Sequence, residues 1–301
     1  MQRQRSIADG FLRVRVAGIT CTDWSVRGLR AGTLGKSALA FAAFMWECFH
    51  DDGVDAILVE CTSQYRHADI ERILGQNFEL SDAVFSVTEL GIPTERWRKY
   101  MVLLRIGGRL RWQKGHQFSR QRLLEVFGRR LVCNGHVYMD STAKEVTRPY
   151  ADWLARRRGF PERDHEGKRW AFRTLTSKKT RDRIDAHLEY ASRRGMSTDV
   201  MFDAMRNLGY GNMSSSAPAL LQRNLPWSTK YDRPLVPEER LEAQGFPTID
   251  PERTLGLAFP WPSALAALGP AQLNSLAGNS MHFAAICSVL LYVLAFAEVE
   301  S

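Results

Sequence analysis

The spacing of apolar and polar positions changes period several times over the first hundred residues. Leu12 to Ala17 alternates apolar with basic side chains and predicts a strand. Lys36 to Phe49 carries its apolar residues at helical spacing, and Ala56 to Cys61 is a short, nearly continuous apolar run that predicts a buried strand. Strand, helix and strand in succession is α/β grammar. Two more strands are expected at Ala83 to Glu89 and Tyr100 to Arg105. The loop between them, with Gly91 and Pro93, is too short for a crossover helix, so this pair should be antiparallel and the sheet mixed.

From Gly107 to Arg194 the pattern loosens and becomes basic, through Arg109, Arg111, Lys114, Arg120, Arg122, Arg129 and Arg130, then Arg156 to Arg158 and Lys178 to Arg183. A helix is expected from Ser197 to Asn207, capped by Ser197 or Thr198 and stopped at Gly209. Another should run from Pro237 to Gln244, with proline in its first turn and Gly245 as its terminator. Phe259 to Pro262 reads as a loop. The apolar run Phe283 to Ala297 falls short of the ~20 residues of a membrane span and reads as a buried helix, so no membrane partner is expected.

At 301 residues and 45% hydrophobic content the chain can fill a real core. Forty-one Lys and Arg against thirty-three Asp and Glu give a net charge of +8, a field that favours phosphate-rich partners. The five cysteines have no C-x-x-C spacing, so neither a disulfide framework nor a metal site is suggested and a reducing compartment fits best. Met1 to Arg5 leads into no apolar segment of the kind a secretory signal carries, and an intracellular location follows: the nucleus in a eukaryote, the cytoplasm otherwise. Gly32-Thr33-Leu34-Gly35-Lys36-Ser37 imitates a phosphate-binding loop, but Arg30 stands where that pattern needs glycine.

The chemistry-bearing residues lie at the strand ends. Gly18-Ile19-Thr20-Cys21-Thr22-Asp23-Trp24-Ser25-Val26-Arg27-Gly28 follows the first strand, and Ile57-Leu58-Val59-Glu60-Cys61 ends the next. Leu90-Gly91-Ile92-Pro93-Thr94-Glu95-Arg96-Trp97-Arg98 enters a third. Arg233 to Pro247 and Leu276-Ala277-Gly278-Asn279-Ser280-Met281 complete the series. In this order the five blocks resemble those of the DNA cytosine-5 methyltransferases: the cysteine loop, the E-N-V strand end, the G-x-P-Q-x-R-x-R segment, the R-x-L-T-P-x-E-x-x-R-L-Q-G-F-P segment and the Q-I-G-N-A-V turn.

The resemblance implies a partial Rossmann-like, S-adenosylmethionine-dependent methyltransferase sheet, followed by a basic, mainly helical second region. Residues 1–106 would hold the catalytic portion, 107–232 the target-recognition-like region, and 233–301 helices returning to the catalytic domain. Cys21 falls on the nucleophile that adds to C6 of cytosine, and Glu60 on the carboxylate that protonates the ring at N3. Arg96 and Arg98 fall on two arginines that would organise one pocket. Asn279 and Ser280 would contribute to the cofactor pocket, and Ser25, Arg27, Arg109 and Arg111 would face nucleic acid. DNA is the expected partner, with RNA as the alternative target.

The chain departs from the pattern at Thr20, Thr22, Cys61 and Thr94. It has no glycine-rich turn after a strand ahead of Cys21, where the family holds its cofactor. The sheet should therefore present an open edge, and a partner chain supplying the absent front half is one expectation. A catalytically inactive, nucleic-acid-binding remnant of the family is the alternative reading.

Overall fold

The computed structural model describes residues 11–19, 35, 38–140, 144–161, 163–164, 166, 168, 170–196, 199–208, 213–222, 224–248, 264–265 and 267–299. Two compact units are present. The first joins Met1–Leu90, Trp97–Arg130 and Ala284–Ser301, and the second joins Gly91–Arg96 and Leu131–Phe283. A boundary falls near residue 130, and the last eighteen residues rejoin the first unit.

In the first unit, β1 (Val14–Gly18), α1 (Ala38–His50), β2 (Ala56–Thr62), α2 (Ala68–Leu74), β3 (Phe78–Ser86) and β4 (Trp97–Arg105) form a sheet of order β1-β2-β4-β3. β1 is parallel to β2, whereas β4 runs antiparallel to both β2 and β3, so the sheet is mixed as the short Gly-Pro loop required. Among the described residues β1 pairs with β2 alone. Strand alternation sends Ile57, Val59 and Cys61 to one face, where they pack with Met45 and Cys48 of α1 and Ile70 and Leu74 of α2. Each such fully buried aliphatic side chain contributes roughly 1.5–3 kcal/mol.

The unit continues through β5 (Leu110–Trp112) and α3 (Arg120–Phe127), and it recovers the chain's end. Tyr292 is fully buried, its ring 5.7 Å from Phe118 and its hydroxyl donating to the His116 carbonyl at 3.1 Å.

The second unit holds α4 (Val137–Asp140), α5 (Lys144–Arg157), α6 (Lys178–Arg193), β6 (Met201–Asp203), β7 (Pro226–Ser228), β8 (Arg233–Pro234), α7 (Pro237–Glu242) and α8 (Pro270–Asn279). The expected helix over Ser197–Asn207 is not formed: Met201–Asp203 is a strand pairing antiparallel with β7. Val200, Met201, Phe202 and Ala204 are all buried, and such a consecutive apolar cluster suits a buried strand better than the one-sided stripe of a helix. Ser197, Thr198 and Gly209, on which the capping argument rested, lie outside the described residues, as does the Phe259–Pro262 loop. By contrast α7 forms where its proline and glycine placed it, and Gly245 takes the left-handed φ of 82°. At Gly278 a Cβ would sit 2.3 Å from the Gln222 backbone nitrogen, so α8 can approach that strand of chain only with glycine there.

α9 (Phe283–Phe296) and β9 (Ala297–Val299) end the chain, with β9 pairing to β5. The run Pro270–Phe296 is long and apolar enough to cross a membrane by length and composition alone. Its backbone breaks at Ser280, with ψ of 149°, and α9 buries Ala285, Val289, Tyr292 and Val293.

Candidate active site

Backbone pairing sets the frame. Gly18 lies opposite Glu60 in the parallel β1–β2 ladder, and the Ile19 amide donates to the Glu60 carbonyl at 2.8 Å. The chain therefore leaves β1 level with Glu60, at the carboxyl ends of two parallel strands, where open α/β sheets present their ligand sites. Cys21, Ser25 and Arg27 follow in the sequence and lie outside the described residues.

Glu60 is 5% exposed. Its Oε1 is 2.9 Å from Nε of Arg98, whose side chain is also mostly buried. The register explains the meeting: Arg98 lies opposite Thr62, and Thr62 shares Glu60's face of β2. Tyr100, directly opposite Glu60, stacks on Phe85 with ring centroids 4.5 Å apart and gives the carboxylate an aromatic neighbour. A buried carboxylate tolerated in this setting needs its cation, and Arg98 supplies it.

Arg96 is employed differently. It is 3% exposed, with Nη1 donating to the Leu220 carbonyl at 3.1 Å and Nη2 to the Ser280 carbonyl at 2.8 Å, all within the second unit. Residues 95 and 96 precede the regular strand, which starts at Trp97, so the two-residue alternation does not extend back to Arg96. Thr94 is likewise internal, donating to the Ala243 carbonyl at 3.0 Å and sharing a 2.9 Å hydrogen bond with the Tyr138 hydroxyl.

Asn279 closes α8 and donates to Ser275 Oγ at 3.3 Å. Ser280, its C-cap, donates through its hydroxyl to the Ala277 carbonyl at 3.2 Å. The Leu276–Met281 turn thus ends one helix, and the last helix opens two residues later, at Phe283.

Arg109 has an internal partner. It clamps Asp55, with Nε to Oδ1 at 3.0 Å and Nη2 to Oδ2 at 2.7 Å, and also donates to the Phe11 carbonyl. Asp55 in turn accepts the Arg13 amide at 2.8 Å, so this is an internal strap holding the entrance to β1. A 5% exposed aspartate in need of a cation has claimed the arginine; its position, just ahead of a buried apolar run, was the one signal in the sequence. Arg111 is mostly exposed and pairs with Glu298 at 2.8 Å across β5 and β9.

The sequence also gave no warning of a charged group on the opposite face of the sheet. Lys99 lies 3.0 Å from Asp82, and His67 approaches both Asp82 and Glu71. Lys99 follows Arg98 directly, and alternation turns it away from Glu60. Two of the other cysteines are poor nucleophiles: burial pushes the Cys48 thiol up to about 11 and also raises Cys287.

No protein-family model matches the chain, and no curated protein matches it. Solved structures do. The fold is similar to that of the Entamoeba histolytica methyltransferase EhMeth, with a TM-score of 0.51 and 12% identity over 94% of this chain and 77% of that one. A Spodoptera frugiperda DNMT2 mutant scores 0.49 at 14% identity, covering 93% of this chain and 79% of its own, and the S. pombe Dnmt2 methyltransferase 0.49 at 12%, covering 94% and 77%. The chain therefore has a methyltransferase fold, a mixed α/β sheet with flanking helices.

Proposed function

We propose that this chain acts on cytosine in nucleic acid, DNA first, as a cytosine-5 methyltransferase-like protein whose nucleophile is Cys21. The observation that carries this reading is the placement of Glu60: buried, paired to Arg98 at 2.9 Å, and level with the end of β1, three residues before Cys21 in the sequence. The Cys21 thiolate adds to C6 of an extruded cytosine, forming the S–C6 bond while the ring takes a proton at N3 from Glu60, whose carboxylate has gained that proton from water as the base binds. The electron pair of the C5–C6 bond is thereby made available at C5. Arg98 fixes the Glu60 carboxyl. Once C5 has taken up an electrophile, a proton from water when no methyl donor is present, the original C5 hydrogen is lost as a proton. Expulsion of the thiolate from C6 and return of the N3 proton to Glu60 then restore the ring.

S-adenosylmethionine is the methyl donor that the resemblance implies. Its fit to the described residues is incomplete. Asn279 and Ser280 are the expected contacts among them, and their side chains donate to Ser275 and Ala277 while the Ser280 carbonyl is taken by Arg96. The same observation favours a second reading, a nucleic-acid-binding relative without catalysis.

The discriminating experiment is transfer of a labelled methyl group from S-adenosylmethionine to cytosine-containing DNA, and in parallel to RNA, by the parent chain and by Cys21→Ala. Label from the parent alone is the expected result, with nucleic-acid affinity unchanged in the variant. Binding without labelling by either protein selects the second reading.

A further inference from the structure

We propose that the cavity at the end of α5 binds one unpaired nucleotide of a nucleic-acid strand, an inference that rests on the reading of nucleic acid as the substrate. The cavity has a volume of about 530 Å³, within the ~300–1,000 Å³ of small-ligand sites.

Its walls follow from how the helix stops. The Arg158 and Phe160 amides return to the carbonyls of Leu154 and Ala155, and Gly159 takes the left-handed φ of 73° that reverses the chain. Phe160 then meets Trp170 edge to face, with ring centroids 4.8 Å apart. Both rings are backed by the buried side chains of Ala151, Ala155 and Leu175. Trp170 Nε1 donates to the Pro161 carbonyl at 2.9 Å, which ties the two ends of the loop together and fixes the indole.

The wall is therefore aromatic and set before any ligand arrives, while Arg158 and Arg163 stand exposed at its rim. Neither arginine is in an ion pair among the described residues. Among the described lining residues the one carboxylate, Asp164, is engaged by its own loop, accepting the Glu166 and Lys168 amides at 3.0 and 2.7 Å.

An aromatic wall beneath a guanidinium rim suits a flat ring that carries a phosphate. Bases stack on aromatic side chains whatever their identity, and guanidinium groups take phosphate oxygens in pairs. A paired base offers no free face, so the ligand is an unpaired nucleotide. Arg156, exposed, and Arg157, 5.1 Å over the Trp153 ring, extend the cationic surface along which the strand would continue.

The test measures anisotropy of a labelled oligonucleotide bound to the full chain at one fixed salt concentration, using single-stranded DNA, single-stranded RNA and duplex DNA of one sequence. Phe160→Leu keeps the apolar packing and removes the aromatic face; Arg158→Gln with Arg163→Gln removes the rim. Arg193→Gln with Arg194→Gln removes equal charge elsewhere. Each cavity variant should lose about tenfold in single-strand affinity, against less than about twofold for the control. Ultraviolet crosslinking should attach the strand to the peptide containing Phe160 or Trp170. The tighter of the two single strands identifies the source of the nucleotide.

Losses equal to the control's, duplex bound as tightly as single strand, or no binding by the parent would each overturn the cavity assignment. Methyl labelling separates this proposal from the one it rests on. Labelling with control-level affinities removes the cavity alone, and cavity-dependent binding without labelling removes the methyltransferase reading alone.

Discussion

Replacing Arg98 with methionine is expected to destabilise the protein by about 3–5 kcal/mol, the usual cost of leaving a buried charge without its partner. Glu60 has no route to water that would spare it, since it is 5% exposed and packed beside Tyr100. The double variant Arg98→Met, Glu60→Leu should recover most of that loss, because replacing both members of a buried pair by apolar groups is close to neutral. Both variants should be inactive on cytosine, one through a displaced carboxyl and the other through none. Denaturant unfolding and the methyl-transfer assay read the two effects separately. A double variant as unstable as the single one would mean that the loss comes from other contacts of Arg98 and not from an unpaired Glu60.

The second large effect is expected at Arg233. Its Nη1 and Nη2 donate to the two carboxylate oxygens of Glu239 at 2.8 and 2.7 Å, and Glu239, fully buried, also accepts the Val236 amide at 2.9 Å. One carboxylate thus caps α7 and neutralises Arg233 together. Arg233→Met leaves that carboxylate buried and unpaired by its cation, again a loss of about 3–5 kcal/mol. The chain has two units, so the loss should fall on the transition that reports the second one, followed by tryptophan fluorescence of the fully buried Trp227. A change below about 1 kcal/mol would contradict the role given to this pair.

What was legible in the sequence follows the physics of each element. β2 and the β3–β4 hairpin declared themselves because buried strands are apolar over a short length and a Gly-x-Pro loop leaves no room for a crossover. α7 was bounded to within two residues by proline and glycine, whose conformational limits act locally. β6 was misread as a helix because a three-residue strand owes its existence to pairing with β7, which no local pattern encodes. α2 carried too short a stripe to register.

At the site, Glu60 and Arg98 could be matched to a motif, and the register then explained why they meet. Arg96 was matched to the same motif as Arg98, and Arg109 was assigned to a phosphate surface from its place in the basic region. Their partners, the Leu220 and Ser280 carbonyls and Asp55, lie from 54 to 184 residues away along the chain. A charged side chain's use is decided by what the fold brings to it, and spacing along the chain cannot supply that.

The addition of Cys21 to cytosine can be followed without any methyl donor, because an adduct at C6 makes the hydrogen on C5 exchangeable with water. The measurement is tritium release from C5-labelled cytosine in an oligonucleotide, incubated with the parent chain, with Cys21→Ala and with buffer. Release by the parent above a common baseline for the variant and the buffer is the expected result. Equal release from all three would contradict the assignment of Cys21 as the nucleophile and leave a methyltransferase fold that binds nucleic acid at most.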